Sequence, residues 1–141
     1  MSTPSSAAPR TTPRVAFVDD EPALTALAGR AMALYGCDAI TFSDPRDALL
    51  AITADPTGFD ALITDHTMPG LSGVELALHV RDIRPGLPIV LTSGFLTPDN
   101  RRSAEVAGVD TIVPKPCSME DLATAALALL ADGGRGSTAP A

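Results

Sequence analysis

Tryptophan is absent from this chain of 141 residues, and with one tyrosine and four phenylalanines the aromatic share is only 4%. A core so poor in rings must be built from Ala, Leu, Val and Ile, as in many layered α/β domains. No apolar run approaches the roughly 18 residues that a spanning helix needs. The first ten residues, Met1 to Arg10, hold Ser, Pro and Ala without the apolar block of a secretory signal. A cytoplasmic protein without a membrane partner is expected. Cysteine is scarce as well. Cys37 and Cys117 stand far apart, with no CxxC pairing or nearby histidine ligands, so neither a zinc site nor a disulfide framework is indicated. Plain reduced thiols are expected. Positive charge is short: ten Lys and Arg face seventeen Asp and Glu, for a formal net charge of -7. That balance argues against a nucleic-acid groove, which needs clustered cations to neutralise phosphates. It suits a cation site and solubility instead.

What is present fits one domain with a real core. Residues 1–13 are rich in Ser, Thr, Pro and Ala, and residues 132–141 in Gly, Ser and Ala; both are expected to be flexible tails flanking a folded unit at 14–131. Within that unit, strand-length apolar runs near 14–18, 38–42, 60–64, 88–92 and 110–114 alternate with helix-length segments. This is the pattern of a parallel sheet covered on both faces. Helix starts carry their own signals: Asp44-Pro45 with Asp47, Ser72 with Glu75, Thr97-Pro98, and Ser118 with Asp121. The first helix, expected over 22–35, sets Leu24, Leu27, Ala28, Ala31 and Leu34 on one stripe. The last sets Leu122, Ala125, Leu129 and Leu130 similarly.

Three of the expected strands end in charge. Ile63-Thr64 runs into Asp65, Val15-Ala16-Phe17-Val18 into Asp19 and Asp20, and Ile112-Val113-Pro114 into Lys115. In an open parallel sheet, ligands bind beyond the carboxyl ends of the strands, so these groups mark a site. Asp19 and Asp20 would point to opposite faces of an extended strand, but a turn toward Pro22 lets both carboxylates face one crevice. With Asp65 they make an all-oxygen set suited to a hard cation such as Mg²⁺. Such crowding of anions is costly without one. The fourth run ends Thr92-Ser93-Gly94, two hydroxyls and a glycine that admits close approach to the backbone. A hydroxyl and a lysine at that edge suit a phosphoryl group. The Lys115-Pro116 bond is a candidate cis peptide. His66, next to Asp65, reads as a solvent-facing loop residue, and His79 as a surface or half-buried structural one.

In order and spacing, Val18-Asp19-Asp20-Glu21-Pro22, Asp65-His66-Thr67-Met68-Pro69-Gly70-Leu71-Ser72-Gly73, Ser93-Gly94 and Lys115-Pro116 resemble the receiver domain of bacterial response regulators, over about 14–131. The resemblance implies a flavodoxin-like, doubly wound sheet of five parallel strands in the order 2-1-3-4-5. It implies a signalling phosphoacceptor in two-component or phosphorelay systems, not an enzyme acting on other molecules. Asp65 would take a phosphoryl group from a phosphohistidine on a sensor histidine kinase or histidine phosphotransferase. Asp19, Asp20, Asp65 and the backbone carbonyl of Thr67 would hold Mg²⁺. Ser93 would contact the phosphoryl oxygen together with Lys115, with Thr92 in its place if the strand register slips by one.

One departure bears on the switch: receivers commonly carry Tyr or Phe three residues before the lysine, where this chain has Ile112. Either Phe95 reports the change, or the loop and the short polar helix after Ser93, about 97–106, move. No effector domain is evident after Leu130, so output through an unknown protein target, or onward relay of phosphate, is expected. The Ser93-Gly94-Phe95 ending resembles receivers of hybrid histidine kinases. Monomer and phosphorylation-dependent dimer both fit. Two rivals remain: an aspartate-nucleophile phosphatase of the haloacid dehalogenase kind, which wants a second aspartate where Thr67 stands, and a receiver-like docking module that works without phosphorylation.

Overall fold

The computed structural model of the chain describes residues 12–132, so the expected tails fall almost entirely outside the described residues. Five strands, β1 (Arg14–Val18), β2 (Asp38–Phe42), β3 (Ala61–Asp65), β4 (Ile89–Ser93) and β5 (Thr111–Pro114), form one sheet in the order β2-β1-β3-β4-β5. Every neighbouring pair is parallel. The order reverses between β1 and β3, so the crevice of the sheet opens at their carboxyl ends. β3, β4 and β5 begin one residue later than the apolar runs suggest, and β3 and β4 also end one later. Two aspartates explain the starts. Asp60 and Asp110 precede β3 and β5, and their carboxylates accept the Arg14 N–H (2.7 Å) and the Ile89 N–H (2.9 Å) of the adjacent strands. Each thereby satisfies the first backbone donor of a neighbour instead of acting as a strand residue.

Alternation along the strands divides the core. Val15, Phe17, Ile63 and Val90 pack with Ala28, Met32, Leu122 and Ala126, whereas Ala16, Val18, Leu62, Ile89 and Leu91 pack with Ile52, Leu76, Val80 and Ala104. Helices α1 (Pro22–Ala31) and α5 (Met119–Ala131) therefore cover one face. The other is covered by α2 (Pro45–Ala54), α3 (Gly73–Ile83) and α4 (Pro98–Val106). All four start signals form. Asp44 accepts from the Arg46 N–H and Thr97 from the Asn100 N–H, while Ser72–Glu75 and Ser118–Asp121 close as reciprocal capping boxes.

The first helix departs from its expected register. It stays α-helical only to Ala31 and tightens into a 3₁₀ turn over Met32–Tyr35, ending at Gly36 with φ 88°. Thr25, Ala28 and Met32 face the sheet, and Leu27 (48% exposed) and Leu34 (81%) face solvent. Thr25 is tolerated in the interior because its hydroxyl donates to the Pro22 carbonyl at 2.9 Å. On α5 the buried positions are Leu122, Ala123 and Ala126, with Ala125 and Leu129 only partly covered. On α1 the small Thr25 and Ala28 at the interface let the helix lie close to the sheet, and Leu27 turns outward.

Candidate functional site

β1 and β3 are paired, so Asp19, one residue past β1, and Asp65, the last residue of β3, emerge side by side. The Asp19 N–H still donates to the Phe42 carbonyl (3.1 Å), and its Oδ1 accepts from the Glu21 N–H (3.0 Å), which turns the chain toward α1. That turn brings Asp20 round as well: one carboxylate oxygen from each of Asp19, Asp20 and Asp65 lies within 4.8 Å of the others. Asp19 (3% exposed) and Asp65 (6%) are buried, and Asp20 is exposed.

Lys115 follows β5, held by its N–H on the Ser93 carbonyl (2.8 Å) and by a cis bond to Pro116. It is the only lysine in the chain. Its Nζ lies 2.9 Å from Asp65 Oδ1 and 4.0 Å from Asp19 Oδ2. Thr92 is in register with Asp65, and its hydroxyl stands 3.5 Å from Asp65 Oδ1. Ser93 is one residue further on, buried, with its hydroxyl donating to the Phe95 carbonyl (3.0 Å) and accepting from the Phe95 N–H (3.3 Å). Space beside Gly94 is open. Thr67 is exposed on the loop into α3. His66 departs from its expected place: it is half-buried, and its Nδ1 is buried without a hydrogen-bond partner among the described residues. His79 is exposed on α3.

Three carboxylates thus meet one ammonium. Burial pushes the Asp19 carboxyl above its ordinary range, and the charges of Asp65 and Asp20 add to it, outweighing the Glu21 N–H and Lys115. Burial weighs against the Lys115 charge, but the hydrogen bond to Asp65 and the charges of Asp65 and Asp19 prevail and hold the ammonium above its usual range. The cluster carries more negative charge than it can neutralise, and its donors are all oxygen, so its residues fit a hard divalent cation.

The raised Asp19 has a consequence for stability. A carboxyl with a folded pKa above its unfolded one favours folding below the unfolded value, and that contribution is lost as pH rises through the folded value. At neutral pH the ionised group therefore opposes folding. Asp19→Asn is expected to raise the melting temperature of metal-free protein by a few degrees at pH 7, with the gain shrinking toward acid pH, and to weaken the stabilisation by Mg²⁺. Thermal melts in chelator and in Mg²⁺ check this; a lower melting temperature for the variant in chelator would contradict it.

A family model for the response regulator receiver domain matches residues 15–127. The transcriptional regulatory protein PrrA of Mycobacterium tuberculosis is 33% identical over 129 residues, covering 92% of this chain and 54% of that protein. The transcriptional regulatory protein TcrA of the same species is 30% identical over 109 residues, covering 77% and 42%. The chain spans about half the length of these curated relatives. A receiver domain protein from Clostridium thermocellum superposes with a TM-score of 0.79 at 24% identity, covering 86% of this chain and 96% of that one. A CheY-like receiver from Methanospirillum hungatei gives 0.80 at 22%, with the same two coverages. At these identities the two structures speak for the fold.

Proposed function

This chain belongs to the response regulator receiver domain family, and we propose that its Asp65 accepts a phosphoryl group from a phosphohistidine and thereby changes what the domain binds. The carrying observation is the Asp65 carboxylate itself, buried at the end of β3 with Lys115 Nζ at 2.9 Å and two further acids beside it. Asp65 attacks phosphorus, a P–O bond forms as the P–N bond of the donor breaks, and an acyl phosphate results. Lys115 passes from the carboxylate to a phosphoryl oxygen, a pairing made stronger by the low local dielectric. Ser93 leaves Phe95 and donates its hydroxyl to a second oxygen; Thr92, in register with Asp65, keeps its hydroxyl near the carboxylate. When Asp19, Asp20, Asp65 and the Thr67 carbonyl hold Mg²⁺, the bound ion supplies positive charge to the remaining phosphoryl oxygens.

In this reading the chemistry is confined to the chain's own aspartate, as self-catalysed phosphotransfer and autodephosphorylation. The exposed Thr67 offers no general acid for a phosphatase of the dehalogenase kind. The donor is a sensor histidine kinase or histidine phosphotransferase in the cytoplasm, and the output goes to a protein target or onward in a phosphorelay. Among the described residues no helix is long and apolar enough to cross a membrane.

Ile112 is partly buried against the α2–α4 side of the core and cannot act as an aromatic switch. The mobile element in this reading is the segment after Ser93. α4 buries only Ala104, while Phe95 (78% exposed) and Val106 (77%) are open to solvent. Moving a two-state domain from 1:99 to 99:1 takes roughly 5.5 kcal/mol, which several new contacts to one phosphoryl group can supply.

The reading is tested by intact mass spectrometry after incubation with Mg²⁺ and acetyl phosphate. One added phosphoryl group is expected, removed by hydroxylamine and absent when chelator replaces Mg²⁺. Turnover of a phosphoester without an adduct would overturn it in favour of hydrolysis.

A further inference from the structure

A cavity of about 440 Å³ opens from the acid cluster between the sheet and helices α1 and α5. Its lining has two parts. One is polar: Asp19, Glu21, Asp65, Thr92 and Lys115. The other is apolar, with Leu24 from α1, Ile63 from β3, Cys117 from the loop before α5, and Met119 and Leu122 from α5. Phosphoryl transfer uses only the polar part. The apolar part leaves Leu24 and Met119 half-exposed and serves no step of that chemistry.

We propose that this cavity is a ligand site for a small organic cation, an apolar ring system carrying a primary ammonium, which binds in place of the divalent cation. The inference rests on reading the three acids as a cation site. Volume is the first argument. Small-molecule sites run to roughly 300–1,000 Å³, and about 150 Å³ already holds one benzene ring, so a bicyclic body fits. Charge is the second. Asp19, Glu21 and Asp65 line the cavity against Lys115 alone, Asp20 stands beside it, and the oxygens of the three aspartates lie within 4.8 Å of one another, close enough for one ammonium to donate to more than one of them. An anionic head would face a net negative wall. The third is mixed chemistry: a bare metal ion leaves the half-exposed Leu24, Cys117 and Met119 uncovered, whereas an amphipathic cation covers them and satisfies the acids at once. Occupancy would exclude Mg²⁺ and hold the domain in its unphosphorylated state.

Tryptamine is a suitable probe because the protein has no tryptophan, so indole fluorescence reports the ligand alone. Its anisotropy would be followed on titration with metal-free full-length protein. Saturable binding is expected, at least about tenfold tighter than for indole-3-propionate, which keeps the ring and reverses the head charge. Mg²⁺ should displace the probe. Asp19→Asn should weaken it at least about fivefold by removing one negative charge, and Cys117→Phe by a similar factor by filling the apolar part; a cooperative thermal melt shows that each variant folds. Equal affinity for the two indoles, no displacement by Mg²⁺, or unaltered binding by Cys117→Phe would each overturn the proposal. Binding is read without phosphorylation, so its failure leaves the mass-spectrometric test of Asp65 standing, and the converse also holds.

Discussion

Asp65→Asn is expected to reduce phosphoryl incorporation below detection, a loss of at least about a hundredfold, without unfolding the domain. The amide keeps the shape of the carboxylate and can still accept from Lys115 and Thr92, but its oxygen is no longer an anionic nucleophile. Folding should survive because the substitution removes one of three crowded negative charges, and the charge of Asp65 is among the causes that raise Asp19. The variant should therefore melt no lower than wild type in chelator while gaining less from Mg²⁺. Intact mass with acetyl phosphate, paired with melts in chelator and in Mg²⁺, separates these effects. A hydroxylamine-sensitive adduct persisting on Asp65→Asn would move the acceptor elsewhere, with Asp19 and Asp20 as the remaining carboxylates of the cluster. Loss of both the adduct and the cooperative melt would instead make Asp65 a structural residue.

Much of this architecture was legible in the sequence because its signals are local. Strand ends delivering Asp19, Asp65 and Lys115, and side chains capping the helix that follows, depend on residues within a few positions of each other. The parallel order then places those ends together, which is why acids and lysine converge as their positions imply. What was not legible depends on contacts across the fold. Leu27 and Leu34 fall on an apolar stripe by helical spacing, yet the helix tightens at Met32 and presents Thr25 and Ala28 to the sheet. The hydroxyls at the end of β4 divide by alternation: Thr92 lies on the Asp65 side with Val90, while the Ser93 hydroxyl closes a local turn on Phe95. Half-burial of His66 likewise comes from the packing around its loop. Gly73 carries a signal in the sequence itself: it is a glycine at the first position of a helix immediately after its cap, where Ala would favour the helix more.

Gly73→Ala is expected to destabilise the domain by about 2–3 kcal/mol, lowering the melting temperature by roughly 10 °C, because the added methyl has nowhere to go. A Cβ at that position would fall on the Asp65 carbonyl oxygen and within 2.6 Å of Leu91 Cδ1. Leu91 could yield, but the Asp65 backbone cannot move freely: the His66 N–H is tied to the Thr92 carbonyl at 2.9 Å, and the Gly73 N–H to the His66 carbonyl at 2.8 Å. Relief of the clash must part α3 from the end of β3, the segment that aims the Asp65 carboxylate at Lys115 and Asp19. The variant should therefore also lose Mg²⁺ affinity, so that the melting shift on adding Mg²⁺ shrinks along with the melting temperature itself. Gly29→Ala is the control. Gly29 lies inside α1, and its added methyl would meet only Thr41 Cγ2 at 3.9 Å, an ordinary contact. Its better helix propensity should leave stability unchanged or raise it by up to about 1 kcal/mol. If Gly73→Ala melted with wild type and bound Mg²⁺ equally well, the close approach of α3 to Asp65 would not be what holds that carboxylate in place.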